Sequence, residues 1–396
     1  MRLRLIALLC ALASTCVLKA QIHFSDSLQI SLLTVADGRD AYECFGHTGL
    51  RILDLKEGTD VVFHYGVYNY REPNFIWHFV EGKCNYMMGG CYTDAFIDEH
   101  RMRQLDVTEQ VLSLGPAQSS ALTRALLINF RPENRNYRYN FFFDNCATRP
   151  FDMLNRWAPI EYDTTWTEPK TLRDMVQEKS GLGNWLDFGI SLAVAGRADK
   201  QTSFREQMFL PSYLSQAVAH ASLDGKPLVA RTEVHKFGVQ PTDPDADACP
   251  LSPLVAGLIL LAVALLISLM ELQRCKSGLP VGRAIPIASR TLDTIWLLAS
   301  GVTGCIIWFL NFFSEHPAVD NNLNCLWLLP TNILFIAFIW LKKAKKVRRI
   351  YFFIIFAAVI AYIISVCACK QYVHPAFIPL LLTIALRALC GVARRE

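Results

Sequence analysis

Five apolar stretches crowd the last third of the chain, at about Leu251–Leu272, Thr291–Phe313, Cys325–Leu341, Ile350–Cys369 and Pro375–Cys390. About 20 apolar residues cross a ~30 Å hydrocarbon core as a helix, and in lipid a helix satisfies its own backbone polar groups. The sequence therefore predicts an all-α bundle of about five transmembrane helices over residues 251–396. The shorter third and fifth stretches are also open to a re-entrant or buried reading. Basic residues sort unevenly between them. Arg274, Lys276, Arg283 and Arg290 lie in the first connection, Lys342, Lys343, Lys345, Lys346, Arg348 and Arg349 in the third, and Arg394 and Arg395 after the last stretch. The second and fourth connections carry only Lys370. By the positive-inside rule the odd connections and the C-terminus are cytoplasmic, and residues 21–249 lie on the outer side.

The N-terminus agrees with that topology. Basic Met1–Arg4 precede an apolar stretch from Leu5 to Leu18, then Lys19-Ala20. The stretch is too short to span a bilayer but fits the core of a signal peptide, with cleavage expected after Ala20. Cys16 follows Ala13-Ser14-Thr15, which lacks the aliphatic residue of a lipobox, so no lipid-anchored N-terminus is expected. Export changes how the cysteines read, because thiols outside the cytoplasm are usually oxidised. Cys44, Cys84, Cys91, Cys146 and Cys249 fall in the exported part, and an odd number leaves at least one free or paired between chains. Cys84 and Cys91, flanking a Gly89-Gly90 turn, are the candidate pair.

The formal net charge of +4 is a cancellation. Residues 21–249 hold 22 Lys/Arg against 30 Asp/Glu, whereas residues 250–396 hold 14 against 5. An acidic outer part argues against nucleic acid, which needs a basic face. No GKS/T loop or GxGxxG follows a strand to indicate a nucleotide. Neither a cofactor nor a metal is expected.

Within the outer part, Leu28–Val35 reads as a strand. Leu50, Ile52 and Leu55 on one side of Lys56–Asp60, and Val61–Tyr68 on the other, read as a hairpin, with a further strand over Cys84–Tyr92. Pro116–Phe130 has helical spacing of Leu122, Leu126 and Leu127 behind an N-terminal proline. Tyr137–Phe143 returns to strand, Asp144-Asn145 breaks it, and a helix is expected from Cys146 to Trp157. Residues 163–222 read as mostly helical and rich in large apolar side chains such as Trp166, Trp185 and Phe188. The expected organisation is a signal peptide (1–20), an α+β domain (21–160), a helical membrane-proximal extension (161–239), a linker (240–250) and the membrane bundle (251–396).

Two segments carry chemistry. Phe45-Gly46-His47-Thr48-Gly49-Leu50-Arg51 puts a histidine at a strand entry, and Asp144-Asn145-Cys146-Ala147-Thr148-Arg149-Pro150 puts a cysteine at a strand-to-helix junction. Unpaired N–H groups and the positive dipole end at a helix start favour thiolate, and a nearby imidazole adds to this. Cys146 is thus the candidate nucleophile and His47 its general base and acid, with the first helical N–H groups available to an oxyanion. A third group should orient the imidazole. His64, in Phe63-His64-Tyr65-Gly66 on the adjacent strand, is the first candidate, with Asn69 and Glu43 behind it.

These motifs resemble the circularly permuted papain-like fold of the lecithin:retinol acyltransferase type, in which the histidine precedes the cysteine. More closely, the FGHTGLRI, FHYGVYNY, DNCATRPFD and FLPSYL segments, the run Asn134–Phe143 and the following spans resemble the bacterial Lnb-type lipoprotein N-acyltransferases. The resemblance implies transfer of a fatty acyl chain from a membrane phospholipid, through a Cys146 thioester, to the α-amino group of a lipoprotein's diacylglyceryl-cysteine. It also implies an inner-membrane location with the catalytic domain in the periplasm. Asn145, Tyr65, Arg51, Arg149 and Asp152 are candidate substrate-binding residues, the last two also readable as an ion pair. On the outer side of the spans, Asn311, Glu315, His316, Asp320, Asn321, Asn322 and Asn324 form a polar patch, read as a solvated loop or as a contact for headgroup or lipoprotein. Two other readings stay open: a membrane-tethered thiol peptidase or amidase, and a non-enzymatic scaffold in which Cys146 is disulfide-bonded to Cys44 or another partner.

Overall fold

Strand β1 (Leu28–Val35) is buried at six consecutive positions, which a strand with one wet face cannot be. Both its faces are covered in the computed structural model, which describes residues 24–394 apart from 39, 42, 69, 70, 72, 239–250 and 278–283. The expected signal peptide, the linker and Asn69 lie outside the described residues. The chain continues through β2 (His47–Asp54), β3 (Asp60–Val67), β4 (Asn85–Tyr92), β5 (Val107–Leu112) and β6 (Asn136–Arg138). A small sheet of β7 (Ile160–Tyr162), β8 (Ala221–Leu223) and β9 (Lys226–Pro227) precedes β10 (Val229–His235). The main sheet has the order β10-β5-β1-β2-β3-β4-β6 with antiparallel pairings throughout, so the outer part is a mixed α/β domain.

Alternation along the strands sends two apolar sets to opposite faces. Ile30, Leu32, Leu50, Ile52, Phe63 and Tyr65 share one core with helices Pro116–Phe130, Thr148–Trp157 and Pro211–Ala219. Leu33, Val35, Val62 and Val107 pack against Phe96 of helix Thr93–Met102 on the other face. The hairpin forms as the sequence predicts, but other expectations need correction. Cys84 and Cys91 are both free thiols. Gly89 and Gly90 lie inside β4 rather than in a turn, and seven extended residues part the two cysteines by roughly 23 Å, far beyond disulfide reach. The expected strand Tyr137–Phe143 shrinks to β6, because Asn140 turns the chain by accepting from the N–H groups of Phe142 and Phe143. The extension is not a layer apart from the domain. Its last strand, β10, pairs with β5, and the Gln110 side-chain amide donates to the Ser215 carbonyl.

In the membrane part, Pro253–Gln273, Ala284–Phe313, Leu323–Trp340 and Lys342–Cys369 are long and apolar enough to cross a bilayer, and Phe377–Ala393 is a shorter apolar helix. Thus four of the five expected stretches meet the length requirement. The third is divided into a 3-10 turn, Leu323–Leu326, and a helix, Thr331–Trp340, separated by Pro330, whose ring and missing N–H obstruct a continuous helix. Arg387, fully buried among these helices, donates to both Asp293 oxygens (2.8 and 3.1 Å), Glu271 (3.0 Å), Ser268 (2.9 Å) and Ser289.

The polar patch is a docking seam. Asn322 and Asn324 are buried and donate to carbonyls at the end of helix Trp185–Ala193, those of Leu192 and Ala193 for Asn322 and of Ser191 and Leu192 for Asn324. Asn311 receives the Asn322 N–H, and buried His374 lies 3.4 Å from buried Asp187. Carbonyl ends of a helix otherwise lack partners, and side-chain amides supply them here. Neither a solvated loop nor a headgroup contact describes Asn322 and Asn324.

Candidate active site

Pairing between β2 and β3 runs from Leu53/Asp60 to Gly49/His64 and stops there. Beyond that point the strands part and leave a notch. The Thr48 N–H points into it at the thiol of Cys146, and the Cys146 Cβ lies against Gly66, 3.7 Å from where a side chain at that position would begin. Gly66 has φ +92°, in a region that disfavours any side chain, within a register shift between His64 and Val67. The kink and the missing side chain together admit the thiol.

The Cys146 loop is clamped from below by Asn145. Its Oδ1 accepts from the N–H groups of Ala147 (2.9 Å) and Thr148 (3.0 Å), and its Nδ2 donates to the carbonyls of Phe141 and Phe209, both at 2.8 Å. Asn145 is buried with every polar atom engaged, so it positions the cysteine and has nothing left to offer a substrate. The same clamp corrects a further expectation. The first N–H groups of helix Thr148–Trp157 are taken, and the N–H groups facing Sγ are those of Thr48 and of Cys146 itself.

His47 and His64 sit on the opposite face of the sheet from that helix, both packed on Phe96. His47 pairs with Val35 in register and His64 with Gly49 and Gly89. Their rings are hydrogen-bonded, Nε2 of His47 to Nδ1 of His64, at 2.9 Å. His64, the first orienting candidate, is thus in hydrogen-bond contact with His47. A cavity of about 480 Å³ opens over the pair, lined also by Gly66, Tyr68, Glu99 and His100. Glu43 lines the same cavity and bonds Arg103. Cys146 and the imidazole pair thus lie on opposite faces of the sheet, linked through the His47–Thr48 peptide, whose Thr48 N–H faces the thiol.

Burial dominates the electrostatics. It pushes the Cys146 thiol up to about 11, with the N–H groups of Thr48 and Cys146 pulling the other way. Burial also holds His47 well below its usual range, with His64, His100 and Arg103 adding to the effect, and lowers His64 to about 4, opposed by Glu99. Burial thus favours a neutral thiol and a neutral imidazole over the thiolate that a helix start suggests. Alkylation of Cys146 by iodoacetamide should accordingly rise about tenfold per pH unit from roughly pH 7 to 10, since only thiolate reacts. Peptide-resolved mass spectrometry would measure it. A rate already flat between pH 5 and 7 would instead reveal a thiolate–imidazolium pair.

The remaining candidates separate into two groups. Tyr65, Arg149 and Asp152 line a second cavity of about 380 Å³ on the Cys146 side, together with Arg205 and Asp144. Arg149 does not pair with Asp152: it holds Asp144 and lies 3.6 Å over the Tyr137 ring, while Asp152 bonds Arg205. The Tyr65 hydroxyl donates to Asn129. Arg51 and His316 are placed elsewhere. Arg51 forks onto Asp60 and Glu109 (both Glu109 oxygens at 2.8 Å), which makes it part of the sheet's own ion network. Glu109, Glu233 and His235 come close enough to ligate a metal, but the Arg51 guanidinium already occupies Glu109. His316 bonds the Phe79 carbonyl at the junction of the two parts. Sequence reasoning assigned no role to Thr48, Tyr137 or Tyr139 near the thiol, although Thr48 stands in the first motif and both tyrosines in the run Asn134–Phe143.

Two family models match the chain: the Lnb N-terminal periplasmic domain over residues 19–178 and the Lnb transmembrane domain over residues 245–395. No curated protein and no solved structure matches it. Both models describe parts of one kind of protein, in the order found here, and between them they cover most of the sequence. The chain belongs to the Lnb family of lipoprotein N-acyltransferase-type membrane proteins, with a periplasmic domain followed by a transmembrane region.

Proposed function

We propose that the protein moves a fatty acyl chain from a membrane phospholipid to the α-amino group of a diacylated lipoprotein by thiol catalysis at Cys146. The notch supports this reading: two backbone N–H groups face the Cys146 thiol, and the residue before Thr48 is His47, hydrogen-bonded to His64. The outer domain is read as a circularly permuted papain-like fold, and the C-terminus as cytoplasmic.

The chemistry starts from a neutral thiol and a neutral imidazole. In the tautomer that donates Nε2–H of His47 to His64, Nδ1 is the basic nitrogen. It takes the thiol proton as Sγ attacks the ester carbonyl, and the oxyanion that forms faces the N–H groups of Thr48 and Cys146. Collapse breaks the C–O bond, and His47 returns the proton to the departing lysophospholipid oxygen. The lipoprotein amine then attacks the thioester, gives its proton to His47, and the amide forms as Sγ leaves and is reprotonated. Arg149 and Arg205, beside the second cavity, suit an anionic headgroup in charge, and each is held by a carboxylate.

The test is to supply phospholipid without an amine acceptor. The enzyme should then accumulate one acyl group on Cys146, released by hydroxylamine and discharged by a diacylated lipopeptide. Acyl transfer that bypasses Cys146, or peptide hydrolysis with no need of lipid, would replace this reading.

A further inference from the structure

Helix Phe75–Val80, between β3 and β4, lines neither of the two cavities described above, yet it exposes more apolar surface than a solvated helix needs. It reads FIWHFV and has no buried residue. Ile76 is 77% exposed, Trp77 52% and Phe79 48%. Apolar groups exposed together in this way mark an interaction surface.

The membrane part fixes where this surface lies. Ser314 Oγ donates to the Val80 carbonyl and the Glu315 N–H to the Glu81 carbonyl, both at 2.8 Å, while His316 Nε2 donates to the Phe79 carbonyl. These three residues follow directly on helix Ala284–Phe313. The Trp77 ring lies 5.1 Å from that of Phe309. Phe309 is four residues from the helix end, so Trp77 sits about 6 Å inside the outer end of a spanning helix. That is the level at which indole rings favour a bilayer. Phe312 and Phe313, 61% and 70% exposed, extend the same apolar surface along the span. A surface continuous with the lipid-facing side of a spanning helix, at that depth, has lipid as its occupant.

Aromatic rings lead from it to the catalytic cavity. Phe75 stacks on Tyr68 at 5.3 Å, Tyr68 packs on Tyr86 at 5.1 Å, and Tyr86 stacks on Tyr139 at 4.3 Å. Tyr68 lines the His47–His64 cavity, and half-buried Tyr139 lies within electrostatic reach of Cys146. We infer that helix Phe75–Val80 is an interfacial foot sunk into the outer leaflet, and that the aromatic row beside it guides a lipid acyl chain from that leaflet toward Cys146. The first half stands on geometry alone; the second rests on the acyl-transfer reading.

Two measurements separate the halves. The full chain in nanodiscs of phosphatidylethanolamine and phosphatidylglycerol, with and without bromine on the acyl chains, gives the first. The wild-type minus Trp77→Phe difference emission should be quenched by brominated chains. An unquenched difference, whether Trp77 faces water or a second copy of the chain, overturns the foot. For the second, Ile76→Asp should lower the ratio of turnover on vesicle phospholipid to turnover on a monomeric short-chain phospholipid by at least about tenfold. An unchanged ratio overturns the guiding role. If the wild type acylates from neither donor, the acyl-transfer reading fails while the quenching result still decides the foot.

Discussion

Cells whose sole copy carries Cys146→Ala should hold lipoproteins one acyl chain lighter at the N-terminus, although the variant inserts normally. Removing a nucleophile takes away the covalent path altogether, and losses on the order of 10⁴-fold or more are usual for such groups. The cavity left by one sulfur is small, and the Asn145 clamp that shapes the loop does not involve Sγ, so the fold should survive. His47→Ala should cost about as much, and the double variant no more than either single, because base and nucleophile act as a unit. His64→Ala should cost less, since it releases the far nitrogen of His47 without removing the base. Mass spectrometry of lipoprotein N-terminal peptides reads all four. Triacylated lipoproteins persisting with Cys146→Ala would refute the mechanism.

The second large effect is on stability and lies far from the chemistry. Arg387→Leu should lower the thermal midpoint of the detergent-solubilised protein sharply, at a cost of about 3–5 kcal/mol, the usual consequence of stranding one member of a buried ion pair. Asp293 is fully buried, and its remaining cation would be Arg394, at 3.0 Å. Arg387→Lys should recover only part of the loss, because one ammonium cannot reproduce a fork that reaches Asp293, Glu271, Ser268 and Ser289 together. Adding Asp293→Asn to Arg387→Leu should restore stability relative to the single variant. A midpoint unchanged in Arg387→Leu would mean that the cluster contributes nothing.

What could be read in advance divides along physical lines. Strand β1, helix Pro116–Phe130 and the β2–β3 hairpin announce themselves through apolar runs and turn residues, and the structure has them at nearly the same positions. Helix Thr93–Met102 was not legible, since its buried face is only Thr93, Phe96 and His100 in an otherwise charged stretch. Nor was β10, most of whose side chains are exposed and whose position is set by the backbone edge of β5. The site shows the same division. Residue types and order indicated Cys146, His47 and His64, but an asparagine beside a cysteine reads alike whether it clamps a loop or meets a substrate. Arg149 likewise has an acid at 152 and another at 144, and spacing alone favours the wrong one. The charge states of the thiol and imidazole depend on burial, which is a property of the whole packing.

The seven-stranded sheet is open, and an open sheet has two rows of unsatisfied backbone groups that newly exported, still unfolded chains could join. Both rows are blunted. One edge is β6, only three residues long, and the other is β10, whose exposed Arg231–Glu233 pair and following Lys236 put charge where an incoming strand would lie. A short edge and a charged edge are the devices by which soluble sheets resist aggregation. The return of the chain from its helical extension to flank β5 thus gives the domain a guarded flank in a compartment crowded with sticky polypeptides.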